Sequence, residues 1–554
     1  MTGPAVPATE QGPEPGHARQ TARGIGRAAV LIAALTVLAR VTGLVRQLVF
    51  AQTVGSHCLG TAYTTANLVP NVIYDIVLGG ALTSIMVPVL ARPVEVSAAK
   101  RPGQGPGEAD QISSALLTWT VTILLPASVV VALAAGPVIS LLVPANRGAN
   151  CAHAEVVSVG TQMLAVFAPQ ILLYGVAVVL YGILQAHRRF TAPALAPVLS
   201  SLVVIAAYLA FVPLARSHIT HLGALPPVAK LTLSAGTTAG VAALVVTALV
   251  PAWRLRLRLR PSFRFPGGVG RRVRGLAAVG AAALVAQDVS VLVVAWLANG
   301  HGGQGAVVLY SYGWQVFTSA YAVLAIPIAV SAFPVLSARE GEEFDETAAA
   351  SARAVLLASW LGAAVLAGIA VPAARAFVHP GQAGELALGF AAFAPGLVGY
   401  GLIACLSRVL LADGRNRAAA TGMSAGWLLV IVVDLAVVPH VPHHAVVPVL
   451  GLATTVGLTA SGAALLIAVR RARGRAALHG LARAAAAGLA GALAGAAAGA
   501  AVSALLRVSG HFLNGCVAVL AFACAVAAFV AVAYGIDGSD LRSVLARHGR
   551  RAIR

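Results

Sequence analysis

Phe167-Ala168-Pro169, followed by Tyr174-Gly175, Leu180, Leu184, Ala186 and Arg189, recurs 226 residues later as Phe393-Ala394-Pro395, Tyr400-Gly401, Leu406, Leu410, Ala412 and Arg415. Two parts of the chain are therefore built alike. A second echo agrees: the apolar run ending Pro88-Val89-Leu90-Ala91-Arg92 resembles the one ending Pro334-Val335-Leu336-Ser337-Ala338-Arg339. With 59% apolar and 10% charged residues and a mean hydropathy of +0.86, the chain has too little polar surface for a soluble protein of 554 residues. Repeated halves within a membrane point to a transporter with its site between them.

A hydrocarbon core about 30 Å thick takes roughly 20 apolar residues of helix. Fourteen such runs are expected, near 28 to 53, 62 to 91, 114 to 144, 156 to 184, 192 to 215, 228 to 252, 275 to 298, 306 to 336, 354 to 374, 387 to 411, 419 to 439, 446 to 469, 484 to 506 and 514 to 535. The expected fold is all-α and polytopic: two parallel six-helix repeats followed by an appended helix pair. This divides the chain into a disordered cytoplasmic tail (1–24), a first half (25–252), a basic linker (253–274), a second half (275–475), helices 13 and 14 (476–540) and a basic tail (541–554).

The net charge of +20 does not indicate nucleic acid, because the cations mark one side of the membrane. With both termini cytoplasmic, only Arg147, Arg216, Lys230, Arg375 and Arg507 fall on the far side, and Arg40, Arg46 and Arg408 lie within or at the end of spans. This is the positive-inside pattern for a multi-pass protein of the cytoplasmic membrane. The linker run Arg254, Arg256, Arg258 and Arg260 alternates with apolar residues, which suits a surface-anchoring segment beside anionic lipids.

Arg40 and Arg46 carry the strongest local signal. A lone charge at mid-membrane costs about 2.5 to 3.5 kcal/mol or more, so each faces a wet cavity, a partner or an interface. Six residues of helix set them about 9 Å apart and roughly 120° around the axis, suited to two parts of one bulky anion. A structural pairing of Arg46 with Asp75 is the competing reading. In the next span Pro70-Asn71 bends the helix, with Tyr74 and Asp75 following. By the repeat, Gln287 and Asp288, then Tyr310, Tyr312, Trp314 and Gln315, line the same vestibule. Asp434, alone among Val and Leu, reads as a structural hydrogen-bonding group ahead of a coupling site.

No catalytic, metal or cofactor site is expected. Gly422-Met423-Ser424-Ala425-Gly426 has the nucleophile-elbow pattern but opens a membrane helix with no strand before it. His440, His443 and His444 read as a Pro-rich loop, not a metal cluster. Cys58 and Cys151 fall in the first two external loops, where oxidation would permit pairing; spacing alone does not show that they meet, so two unpaired thiols and, behind them, a disulfide both stay open. Gly491, Gly495 and Gly499 line one face of helix 13 for close packing.

Arg40-Val41-Thr42-Gly43-Leu44-Val45-Arg46, then Pro70-Asn71, then Ala81 through Met86-Val87-Pro88-Val89-Leu90, with Phe333-Pro334-Val335-Leu336-Ser337 further on, resembles the MurJ/MviN family of the multidrug/oligosaccharidyl-lipid/polysaccharide exporter superfamily. The resemblance implies flipping of lipid II, the undecaprenyl-pyrophosphate-linked peptidoglycan precursor, to the outer leaflet. It carries the family's two helix-1 arginines onto Arg40 and Arg46. The chain departs where many members have acids (Gln47, Thr61), arginines followed by an acid after Pro-Asn (Tyr74, Asp75, Gly79) and a helix-8 arginine (Gln315). Two other readings stay open: an exporter of another lipid-linked saccharide or a drug, and a transport-inactive scaffold for cell-wall synthesis proteins.

Overall fold

The computed structural model describes residues 15–76, 108–145, 151–187, 189–215, 222–255, 260–265 and 269–552, with side chains from Ala34 in the first helix, Asp110 in the third and Ala283 in the ninth, and to Ile536 in the last. Within lipid every backbone polar group must be satisfied internally, and among the described residues there is no strand. The first part comprises α1 (Pro15–Thr53), α2 (Cys58–Asp75), α3 (Glu108–Leu133), α4 (Ala135–Leu142), α5 (His153–Phe167), α6 (Pro169–Ala186), α7 (Thr191–Ala215) and α8 (Pro227–Trp253). The second comprises α9 (Val269–His301), α10 (Ala306–Leu324), α11 (Ile326–Ser337), α12 (Gly341–Gly368), α13 (Ala370–Phe377), α14 (Pro380–Phe393), α15 (Gly396–Ala412), α16 (Asn416–Val437) and α17 (Val446–Arg473). Then come α18 (Leu481–Leu505) and α19 (His511–Ala552).

Twelve helices among the described residues are long and apolar enough to cross a membrane, and thirteen when α10 and α11, bent by 41°, form one span. Of the expected span at 62 to 91, only the part up to Ile76 is described; Gly79, Gly80 and Pro88–Arg92 lie outside the described residues, as do Arg147, Arg216, Arg256 and Arg258. Three boundaries differ from expectation. Helix α1 reaches back to Pro15, into the segment expected to be disordered, because Pro suits a helix start and the Ala, Arg and Gln that follow are good helix formers. Helix α9 begins inside the expected linker at Val269, and α19 continues to Ala552 where a separate tail was expected.

The repeat is visible in which helices touch. In the first part α1 packs on α7, α2 on α5, α3 on α6, α6 on α8 and α7 on α8; in the second α9 packs on α16, α10 on α14, α12 on α15, α15 on α17 and α16 on α17. The Phe-Ala-Pro signature sits at a broken helix in both. Pro169 and Pro395 remove a backbone donor, so α5 gives way to α6 and α14 to α15, and Phe167 and Phe393 are fully buried at the breaks. A threonine from a neighbouring helix takes up a loosened carbonyl in each: Thr238 Oγ1 donates to the Val166 carbonyl (2.9 Å) and Thr455 Oγ1 to that of Ala392 (2.6 Å). The repeated glycines have one purpose as well. A Cβ at Gly175 would strike Leu124 of α3, and one at Gly401 would strike Ser359 of α12.

Helices α18 and α19 pack on each other and against α12. Gly495 and Gly499 allow that approach: a Cβ on Gly499 would lie 2.7 Å from Gly368 Cα, and one on Gly495 would lie 2.7 Å from the Ala525 carbonyl oxygen. The glycine face is therefore a packing face, as expected. Of the two readings of the cysteines, the structure has the disulfide. Cys58 and Cys151 form a disulfide, with Cα atoms 5.7 Å apart, that ties the start of α2 to the loop before α5. Their 93-residue separation hides a proximity created by the packing of α2 on α5.

Candidate functional site

The two parts meet at the end where α1 finishes and α2 begins. Gln52 Nε2 donates to the Ala376 carbonyl (2.9 Å), and Asn299 Nδ2 donates to Thr65 Oγ1 (3.0 Å) and the Leu142 carbonyl (2.8 Å). Gln304 Nε2 points at the disulfide, 3.4 Å from Cys58 Sγ, while Gln382 Nε2 donates to the Gln304 carbonyl (2.7 Å) and Ser56 Oγ donates to Gln382 Oε1. His57 and His379 stack with centroids 6.2 Å apart. Phe50 of α1 meets Tyr312 of α10 edge-on at 6.4 Å, extending the seal inward. Burial, and secondarily the neighbouring His379, hold the His57 imidazole below its usual pKa.

Deeper in, the expected site residues separate into two groups. Arg46 is half-buried, has no ion pair among the described residues, and lies within electrostatic reach of Tyr63, Tyr174 and Tyr208. Those tyrosines are held in place by hydroxyl contacts: Tyr63 OH bonds Tyr208 OH and Thr237 Oγ1, both at 2.8 Å. Arg40 is exposed about one and two-thirds turns further from the closed end, also without an ion pair among the described residues. Arg46 therefore does not pair with Asp75.

Asn71, Tyr74 and Asp75 do come together. Tyr174 OH donates to Asn71 Oδ1 (3.0 Å), and the Tyr174 ring lies 4.3 Å from that of Tyr74. Asp75 is within electrostatic reach of Tyr74 and Tyr174 on its own side, and of Tyr400 and Asp288 across the gap. Asp288 is 2% exposed, with Oδ2 unpartnered. Gln287 beside it is half-buried, and Gln315 turns along its own helix to donate to Ser319 Oγ (3.3 Å). The vestibule is thus lined by α1, α2 and α6 from one part and α9, α10 and α15 from the other.

Several residues at this site went unnoticed in the sequence. Tyr174 and Tyr400 were in plain view within the repeat signature, whose two Tyr-Gly pairs mark both helix contact and cavity wall. Arg408 is half-buried in α15, donates to the Ala404 carbonyl of its own helix (2.7 Å) and acts on Tyr321. The expectation of a structural hydrogen bond at Asp434 is not met among the described residues, where the residue is fully buried and neither carboxylate oxygen has a partner. Ser424 lies inside α16. His440 Nδ1 and His443 Nδ1 each donate to a carbonyl, of Ala436 and His301 respectively, and no cluster of three metal-ligating side chains occurs among the described residues.

Two repeated helical halves, closed at one end and enclosing a polar, aromatic vestibule, define a multi-span membrane transporter fold. The fold matches a solved structure of a lipid II flippase MurJ in an inward closed conformation, with a TM-score of 0.66, 15% identity and coverage of 91% of this chain and 99% of that one. It also matches an inward-facing multidrug resistance MATE family transporter of the MOP superfamily, with a TM-score of 0.58, 13% identity and coverage of 80% and 94%. The family model described as lipid II flippase MurJ matches residues 50–530, and the chain belongs to that family. Among curated relatives, a probable lipid II flippase MurJ of Synechocystis sp. is 29% identical over 45% of this chain and 44% of its own length. A lipid II flippase MurJ of Burkholderia cenocepacia is 27% identical over 33% of each. The chain thus spans less than half the length of the curated relatives it matches.

Proposed function

We propose that this chain flips lipid II from the cytoplasmic to the outer leaflet of the cytoplasmic membrane by alternating access. Arg46 carries the reading: a cation in the first span, without an acidic partner among the described residues, set among tyrosine hydroxyls beside the space between two halves. Such a charge is costly unless it serves an anion, and a pyrophosphate is a fitting one. Both termini are cytoplasmic on the positive-inside pattern, so the disulfide end is external and the vestibule faces inward. The headgroup enters near Arg40, is held at Arg46 while the halves rock, and leaves when the outer contacts part; the polyprenyl tail stays in lipid. The membrane potential favours return of the cationic empty site by about 2.3 kcal/mol per charge per 100 mV. Anionic lipids lie along the basic linker. Anchorage of that linker is supported by its described part, where the Arg260 and Ser262 amides donate to Ser114 Oγ and Thr118 Oγ1 of α3.

The test is lipid II exposure on the outer leaflet of cells depleted of their own flippase and supplied with this chain or with its Arg40→Ala/Arg46→Ala form at equal expression. Restoration by the native chain and its loss in the double variant is the expected result. Failure of a correctly inserted native chain moves the reading to another lipid-linked saccharide or a drug, or to the scaffold, and an active double variant removes Arg40 and Arg46 from the transport site.

A further inference from the structure

The vestibule holds two tyrosine pairs, one from each half, that the pyrophosphate reading does not use. In the first, Tyr74 and Tyr174 lie with ring centroids 4.3 Å apart; in the second, Tyr321 and Tyr400 are stacked at 3.8 Å with planes 20° apart. Tyr174 and Tyr400 are equivalent positions of the repeat, so each half contributes one pair. All four residues are half-buried, none of them sealed off. Asp75 stands between them, within electrostatic reach of Tyr74, Tyr174 and Tyr400, and Asp288 adds a second carboxyl group to the same space. The Tyr74, Tyr321 and Tyr400 hydroxyls have no hydrogen-bond partner among the described residues and are not sealed from solvent.

We infer that these two tyrosine pairs, with Asp75 between them, form a saccharide-binding jaw that reads the sugar next to the pyrophosphate. The inference rests on the proposed function and assigns a different part of the same substrate. A pyranose presents apolar C–H faces and a rim of hydroxyls. Aromatic faces match the first, and tyrosine hydroxyls with a carboxylate acceptor match the second. The same set is a poor pyrophosphate site, because Asp75 and Asp288 set two carboxyl groups against the single guanidinium of Arg408 that acts on Tyr321. Division of labour follows: Arg46 takes the pyrophosphate, Tyr174 is the shared wall, and the jaw takes the sugar beyond it. Because one pair belongs to each half, a bound sugar bridges them, and opening the inner side must separate its two contacts.

The experiment measures binding of undecaprenyl pyrophosphate with and without a single N-acetylhexosamine to the full chain in lipid nanodiscs. The native chain is expected to prefer the sugar-bearing lipid by about tenfold. Tyr321→Leu/Tyr400→Leu, in the half that does not carry Arg46, should bind both lipids with equal affinity while its affinity for the bare pyrophosphate stays native. Tyr321→Phe/Tyr400→Phe, which keeps the stacking faces, should retain most of the preference. Should the leucine form fail to fold, Asp75→Asn provides the second reading, with a reduced preference and native bare-lipid binding expected. No preference in the native chain, an equal loss for both lipids in folded variants, or displacement of the sugar lipid by tetraphenylphosphonium overturns the jaw; the last would make it an organic-cation site. The two readings fail separately. A chain that prefers the sugar lipid but does not expose lipid II in cells loses the transport reading and keeps the jaw, whereas one that exposes lipid II with no sugar preference loses only the jaw.

Discussion

Gly305→Ala tests whether the contacts at the disulfide end form a gate. Gly305 caps the start of α10 with φ of 76°, and its Cα faces Ser56 in the other half of the molecule. A Cβ there would lie 2.7 Å from the Ser56 carbonyl carbon and nearer still to its oxygen, where ordinary contact begins at 3.4 Å. The two halves must separate locally by at least about 0.7 Å to admit it, and the neighbour is backbone, which cannot rotate away. Two penalties arise and they act differently. The left-handed backbone costs about 1 to 2 kcal/mol in any state that keeps this turn, so it lowers stability without favouring either conformation. The overlap, about 1 to 3 kcal/mol, exists only while the end is closed and shifts the equilibrium toward opening by roughly five- to 150-fold. Spin labels at the exposed Ala154 and Gly381 report on the gap. A longer, broader distance distribution is expected for Gly305→Ala in lipid, with no change for Gly303→Ala, whose Cβ meets nothing within 4 Å. An unchanged distribution in a folded Gly305→Ala protein would refute the gate.

Thr238→Val and Thr455→Val should each destabilise the protein by about 1 to 3 kcal/mol in thermal melts in nanodiscs, because each strands a carbonyl at a broken helix; similar costs in both would also confirm that the breaks are equivalent. Replacing Cys58 and Cys151 with serine should cost about 2 to 4 kcal/mol in the same melts and loosen the spin-label distance, since Gln304 loses the surface it docks on. Acidification below about pH 6.5 should favour opening: the closed state depresses the His57 pKa, so it binds fewer protons than the open state, and the stability it contributes above that range is lost as pH falls. His57→Phe should abolish that pH response in the spin-label distance, and a native-like response in the variant would place the titrating group elsewhere.

Most of the spans and the repeat were legible because hydropathy and the Phe-Ala-Pro break are local signals. Tyr74 and Asp75 drew notice for the same reason, as polar residues beside a helix-bending proline. The gate was not, because Gln52 and Ala376, 324 residues apart, are joined only by the docking of two halves. Nor was the disulfide, which depends on α2 packing on α5. Arg46 illustrates a subtler limit: the need for compensation was readable, but whether a carboxylate or a ring of tyrosine hydroxyls supplies it depends on how α1 is rotated against α7. Gln315 and Ser319 show the same thing in small, since a polar residue in a span can satisfy itself one turn away.

The disulfide also has a consequence for how the protein is made. Both its cysteines lie within the first part of the chain, and Gln382, which holds Gln304 against it, is translated 231 residues after Cys151. At about 5 to 20 residues per second, roughly 12 to 46 s separate the two events. The ribosome thus offers the oxidising side an early, nearly undisturbed interval in which to seal the first half before its counterpart arrives. Whatever thiol-oxidising capacity the cell has at that moment decides whether the second half closes against a finished surface or against two loose thiols.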